Sequence, residues 1–435
     1  MITTSGSAPI AQAHWLPLQV TPKTCWAFIE LEDRDRRIGV GEATLGGREA
    51  QVADAFERCR PDLIGRPVSR IDLAVQRRCA TTLPEFAVVS ALDQALHDLL
   101  AQAAGITVAE ALGGRQRDSV AVYANVNRGI TDRTPAGFAA QARRAVAAGF
   151  GALKIAPFDA IELYGDDRRV ADKALFDAAL QRIETVRKAI GPDVDLMVDC
   201  HWRLNLATAH TVVKAAEAWR LHWLECPVPE RPELFGAMRS IRSLLNERGV
   251  LMAGCEQMSL VAGFVPFLDA GLCDVMMPDV KYVGGLREML DVAATLQRHG
   301  VQFSPHNPSG PVCHAASLQI CAAAAHVERL ELQFDETPLF DALVGNALPQ
   351  PTAGMLRIPD DPGLGVSLAG DVVQRLVMSA ARLARTTGAG GARIPSREAC
   401  AASRAAESSL DRRRRTGCTV SKPAEDPAPA RDRHT

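Results

Sequence analysis

In the stretch LMVDCHWRLN, residues 196 to 205, Asp199 and His201 stand two positions apart at the end of an apolar run. On a β-strand that spacing turns both side chains the same way, and a carboxylate beside an imidazole can move protons or hold a metal. The pattern recurs downstream. An apolar run is followed by, or ends in, Glu225 in HWLECPVPE, Glu256 in LMAGCEQ, Asp279 in CDVMMPDVKYVGG, His306 in VQFSPHNPSGP and Glu331 in RLELQF. Gathered at one mouth, five carboxylates and two imidazoles carry more negative charge than a site can hold bare, since like charges a few ångströms apart raise one another's pKa. A cation resolves that repulsion. Asp199, Glu225 and Glu256 offer hard oxygen ligands from three directions and leave positions for water or substrate oxygens, which suits Mg²⁺ better than zinc.

Such residues need strands that all end on one side. From residue 119 onward the runs SVAVYANV, GALKI, VDLMVD, HWLE, VLMAG, CDVMM, VQFS and RLELQF alternate with helical patterns such as ADKALFDAALQRIETVRKAI, giving eight strand candidates. That is the count of a (β/α)8 TIM-like barrel, an α/β fold whose reactive groups lie at the C-terminal ends of the strands. The barrel is expected over 119–354. Before it, CWAFIELED and RRIGVGEA read as strands and FAVVSALDQALHDLLAQAAG as an amphipathic helix, so 1–118 is expected to be an α+β unit. Residues 355–385 read as a return to that unit. The stretch 386–435 lacks aromatic residues and carries a four-Arg block at 412–415, the composition of a disordered tail.

Composition excludes several functions. Lys plus Arg number 49 and Asp plus Glu 51, for a net charge of -2 over 435 residues, so nothing points to nucleic acid or a membrane surface. No apolar run reaches the length of a membrane span, and the opening MITTSGSAPIAQAHW lacks the basic and apolar regions of a signal peptide, so a cytoplasmic protein is expected. Eleven cysteines without CxxC spacing read as buried thiols, with Cys200, Cys226 and Cys255 turned away from the mouth by strand alternation. His97, His210, His222, His299, His314 and His326 read as structural residues without carboxylate company.

The ordered set resembles the enolase superfamily, in its mandelate racemase and muconate lactonizing subgroup. The resemblance rests on the Asp199, Glu225 and Glu256 trio, PDVKYVGGL, His306, the lead-in AGFGALKI, and the phrases GVGEAT and PGLGV. Asp199 with His201, and PHNPSGP, are most similar to acid-sugar dehydratases of the galactonate and mannonate type. The resemblance implies an N-terminal capping domain completed by the C-terminal segment, one Mg²⁺ and a homo-oligomer. It also implies loss of a proton α to a carboxylate, with the metal stabilising the resulting ene-diolate. His306 is then the base, Asp279 its partner, His201 the acid for a departing β-hydroxyl, and Glu331 a group that positions the substrate carboxylate. Racemases of the subgroup resemble a KxK signature with a second base. Here Lys154-Ile155-Ala156 places a methyl group there, which leaves Lys154 to balance charge and favours one-base elimination. The expected activity is therefore a lyase, the dehydration of a sugar acid to a 2-keto-3-deoxy acid. An epimerase or cycloisomerase sharing the same enolate, or an inert metal-binding barrel, are the alternatives. Substrate choice is expected to reside in loops around residues 13–20 and 42–51.

Overall fold

The computed structural model describes residues 7–162 and 173–386. One compact unit comprises Met1–Val373 and a second Gln374–Thr435, with the helix Gly370–Thr386 running across the boundary. The tail expected over 386–435 lies, beyond Thr386, outside the described residues. Among the described residues, no helix is long and apolar enough to cross a membrane.

The N-terminal part is an antiparallel sheet of β1 (Ile10–Gln19), β2 (Cys25–Asp33) and β3 (Ile38–Glu42), in that order. β1, whose sequence IAQAHWLPLQ sets Gln12, His14 and Pro17 among its apolar residues, occupies most of the stretch 13–20 that was expected to be a loop. Across the sheet lies the helix Leu83–Ala104. Its start is defined by a capping box in which the Thr82 backbone N–H reaches Glu85 Oε2 at 3.1 Å, and its end by Gly105 in the left-handed region at φ 67°. The helix sits so close to β3 that a Cβ on Gly39 or Gly41 would fall 2.2 or 1.9 Å from a helix carbonyl oxygen. Glycine at these positions is what lets the apolar face of Ala87, Val88, Ala91, Leu92 and Ala95 bury completely.

The same helix carries a buried polar stripe, Ser90, Asp93, Gln94 and Asp98, at helical spacing. Ser90 Oγ accepts from Gly284 N at 3.0 Å, Asp93 Oδ2 from Leu286 N at 2.7 Å, and Asp98 from Val40 N at 3.0 Å and Leu364 N at 2.9 Å. Gln94 donates to the Val280 carbonyl at 3.3 Å and accepts from Glu42 N at 3.0 Å. The helix therefore holds the backbone of a distant loop, 280–286, through two side-chain acceptors and one side-chain donor. His97, expected to lack carboxylate company, is 3.2 Å from Asp93, and His222 is 3.7 Å from Glu328. Both expectations are corrected because these carboxylates lie one helical turn away or across the sheet, where a linear scan for neighbours does not look.

Eight strands make the barrel: β4 (Ser119–Asn125), β5 (Ala152–Ile155), β6 (Asp195–Asp199), β7 (Leu221–Glu225), β8 (Leu251–Gly254), β9 (Val275–Met276), β10 (Gln302–Phe303) and β11 (Leu330–Gln333). All pair in parallel in the order β10-β9-β8-β7-β6-β5-β4-β11. Bonds from Glu328 N to the Phe303 carbonyl, at 2.8 Å, and from Glu331 N to the Pro305 carbonyl, at 3.4 Å, join the last strand to the seventh. Tyr123, Met197, Trp223, Ala253 and Val275 fill the interior below the mouth, with the Tyr123 ring edge-on to Trp223 at 5.4 Å. A short β12 (Met355–Arg357) adds antiparallel to β4, after which Gly363 bonds with Ile106 and Val108 near the N-terminal sheet.

Candidate active site

Each strand end brings its reactive group to the same mouth. Asp199 and Glu225 close β6 and β7 in register with one another, and Glu256 follows β8 by two residues. Ligand oxygens of Asp199, Glu225 and Glu256 lie within 4.8 Å of one another, and all three residues are buried. Oxygens sharing one divalent ion are separated by about this much or less, since each sits about 2.0–2.6 Å from the metal. The donor set fits a hard cation, and Glu256 Oε2, buried without a hydrogen bond, is an oxygen such an ion would satisfy.

The backbone around these ligands is strained. His201, Trp202, Cys226 and Cys255 take φ of 45°, 57°, 44° and 69°, a region costly to residues with a Cβ. This corrects the reasoning that joined Asp199 to His201. They meet through a left-handed turn rather than by strand alternation: His201 N donates to Asp199 Oδ1 at 2.8 Å, and the ring Nε2 is 2.8 Å from Oδ2. Likewise Cys226 and Cys255 sit beyond regular strand. Their thiols are buried, with Cys226 Sγ 3.5 Å from Glu230, and they are not members of the acidic cluster.

Charge at the mouth is unevenly compensated. Lys154, fully buried, reaches Glu225 Oε1 at 2.7 Å and Glu331 Oε1 at 2.9 Å. Glu331 also accepts from Asn125 Nδ2 at 2.7 Å and from Asn307 N at 2.9 Å. Burial pushes the Glu331 carboxyl up, but Lys154 and His306 outweigh it and hold it below the ordinary range. Glu225 has fewer donors: burial, with Asp199 and Glu331 adding to it, outweighs Lys154 and pushes its carboxyl up to about 8. Glu256 is raised too, chiefly by burial. Burial also works against Asp199, yet His201 and Lys154 hold it down at about 2. The His201 ring, 41% exposed at the mouth, is pulled by burial toward neutrality, but Asp199 raises it to about 9.

On the far side of the trio, His306 Nδ1 is 2.7 Å from Asp279 Oδ2 and its Nε2 is 3.3 Å from Glu256 Oε2. Burial disfavours an imidazolium there, but Glu256 and Asp279 raise it above the usual histidine range. An isolated parallel bridge between Asp279 and His306 fixes the two loops side by side. Ala156, at the position after Lys154-Ile155, is buried, with its N–H bonded to Asn127 Oδ1.

Several participants were not anticipated. Lys281, two residues after Asp279, is buried with its Nζ 3.2 Å from Asp279 Oδ2; the same two-residue spacing that singled out His201 could have singled it out. Glu230, in the PVPE that follows Glu225, accepts from Cys255 N at 2.7 Å, and burial pushes its carboxyl up to about 7. Glu42, in GVGEAT, is buried and accepts from Gly310 N at 2.8 Å and Cys313 N at 2.9 Å, thereby holding the start of the helix that follows the His306 loop. Asn125 and Asn307 carried no signal beyond lying near strand ends.

Comparison with known proteins agrees with this architecture. A family model described as mandelate racemase / muconate lactonizing enzyme, N-terminal domain, matches residues 5–113, and one described as enolase C-terminal domain-like matches 137–372. A D-gluconate dehydratase of Thermoproteus tenax is 31% identical over 357 residues, covering 80% of this chain and 69% of that one. A D-galactonate dehydratase of Variovorax paradoxus strain S110 is 28% identical over 361 residues, covering 80% and 90%. The solved 3,6-anhydro-D-galactonate cycloisomerase of Zobellia galactanivorans shares the fold with a TM-score of 0.72 at 23% identity, covering 85% of this chain and 99% of that one. With both halves of its architecture matched, the chain belongs to the mandelate racemase and muconate lactonizing enzyme family of the enolase superfamily.

Proposed function

We propose that this chain is a Mg²⁺-dependent hydro-lyase that dehydrates a sugar acid to a 2-keto-3-deoxy acid. The observation that carries the reading is the convergence of Asp199, Glu225 and Glu256 beside the His306 Nε2. The relatives named for dehydration of D-gluconate and D-galactonate, together with one named for D-xylonate in Haloferax volcanii, support aldonic acids as the substrate class.

When bound, a divalent ion on the trio supplies the positive charge that makes a proton α to a carboxylate acidic enough to leave. His306 accepts that proton at Nε2, while Asp279 holds Nδ1–H and so fixes the tautomer. His201, on the Asp199 carboxylate, donates a proton to the departing β-hydroxyl. Lys154 and Glu331, locked to one another beneath the ligands, balance charge there and hold the Asn307 end of the His306 loop. Ala156 leaves no second base beside the α-carbon, which favours elimination over racemisation.

A panel of aldonic and uronic-derived acids, incubated with Mg²⁺ and scored for 2-keto acid, tests the reading. Product from at least one acid is expected. Deuterium exchange at the α-carbon without dehydration would replace the lyase by an isomerase, and neither exchange nor product would leave an inert barrel. His306→Asn should abolish exchange; retained exchange would remove His306 as the base.

A further inference from the structure

The loop after β9 contains a buried cation for which the proton transfers above have no use. Lys281 is 3% exposed, and its Nζ lies 3.2 Å from Asp279 Oδ2 and in contact with Ser309 Oγ. Its backbone N–H donates to the other carboxylate oxygen, Asp279 Oδ1, at 2.8 Å. Asp279 Oδ2 is the same atom that holds His306 Nδ1. Ser309 lies three residues after His306, so one ammonium ties the loop that carries the carboxylate to the loop that carries the imidazole.

We propose that Lys281 is a positioning residue of the dyad, holding the Asp279 carboxylate aimed at Nδ1 of His306. This rests on the function proposed above. Asp279 is 0% exposed, and a buried anion is strongly disfavoured unless it is well paired. Without a second partner, Asp279 lowers its energy by taking up a proton or turning away, and either change frees the imidazole tautomer. Among the described residues, the ion-pair partners of Asp279 are Lys281 and His306. Burial pushes the Asp279 carboxyl up, and Lys281 together with His306 brings it back below the ordinary range. Lys281 therefore gives the buried carboxylate a fixed partner besides His306.

The test compares Lys281→Met, Lys281→Arg and Ser309→Ala in the full chain with Mg²⁺ and whichever sugar acid the wild-type chain turns over. Mn²⁺ binding, followed by electron paramagnetic resonance, reports on the metal site separately. Lys281→Met should lower kcat about 30- to 100-fold, with KM and Mn²⁺ affinity within about threefold, because the substrate and metal contacts remain while the base loses its orientation. Lys281→Arg should recover part of that loss, and Ser309→Ala should lower kcat about threefold at constant KM. A Lys281→Met kcat within about threefold of wild type, or a parallel collapse of kcat and Mn²⁺ affinity that Arg does not relieve, overturns the assignment. If Lys281→Met does not fold, Ser309→Ala and Lys281→Arg decide, and wild-type kcat in both overturns it. Absence of product from the wild-type chain removes the proposed function and this role together. Loss of α-proton exchange in His306→Asn with undiminished exchange in Lys281→Met removes the Lys281 role alone.

Discussion

Asp93, Asp98 and Glu42 in the N-terminal part and Asp199, Glu225 and Glu256 at the barrel mouth are all buried, but their oxygens meet different partners. The first group accepts from backbone N–H donors that secondary structure holds in place: Val40 and Leu364 for Asp98, Leu286 for Asp93, Gly310 and Cys313 for Glu42. Among the described residues, none of them joins a cluster of three or more such acidic or ligand groups. The second group crowds itself. Its oxygens lie within 4.8 Å of one another, Lys154 is shared between Glu225 and Glu331, and Glu256 Oε2 has no hydrogen bond among the described residues. A buried carboxylate with fixed amide donors fastens two segments together; one that faces its own kind with too few donors stores unfavourable energy that a cation would relieve. Burial alone does not distinguish them, whereas the identity of the donors does.

Four changes would break or sharpen that contrast. The largest concerns Glu256→Gln, which should lower kcat/KM at least about 10³-fold with any sugar acid the wild type turns over, yet leave the metal-free protein as stable as before or about 1 kcal/mol more so, because a crowded charge is gone. Steady-state kinetics together with denaturant unfolding in a chelator would show it, and a clear loss of stability would place Glu256 with the fastening group. Asp98→Ala should do the reverse, removing about 3 kcal/mol of stability by leaving the Val40 and Leu364 N–H groups unpaired in the interior, with kcat/KM within about fivefold. Unchanged unfolding midpoints would mean those bonds are not what holds the C-terminal segment.

Asp98 also carries a pH signature. Burial pushes its carboxyl from 3.8 to about 6, so the folded protein binds more protons than the unfolded chain between those values. The stability it contributes is therefore complete below about pH 4 and lost as pH rises through 6, a decline on the order of 3 kcal/mol. Wild type minus Asp98→Asn, measured by unfolding from pH 4 to 7, should fall by that amount; a flat difference contradicts the buried-anion account. The smallest effect is on the metal. Mg²⁺ at a hundredfold excess over its Kd should stabilise the wild type by about 2.7 kcal/mol and Glu256→Gln by much less. Equal stabilisation of the two would locate the ion elsewhere.

The barrel was legible because eight apolar runs recur between helical patterns, and the trio because each ligand stands at the end of such a run. Three things were not. β1 was missed because Gln12, His14 and Pro17 interrupt the apolar run of IAQAHWLPLQ. The stripe Ser90, Asp93, Gln94 and Asp98 looks in sequence like the wet side of an amphipathic helix, and only its bonds to residues as far along the chain as Leu286 and Leu364 show it to be buried. The encounter of His201 with Asp199 was anticipated for a different reason from the one observed, since alternation says nothing about a left-handed turn.

Residue type and spacing by themselves determined which groups could do chemistry here and that they would stand at the ends of successive strands, because periodicity and side-chain valence are local properties. Tertiary structure alone decided which buried charge meets which donor: Glu42 reaching Gly310 across 268 residues, Lys154 bridging Glu225 and Glu331, Lys281 completing the pair of Asp279 and His306. Those encounters depend on where the closed chain brings remote segments together, and the electrostatics of a buried group are set by its neighbours in space.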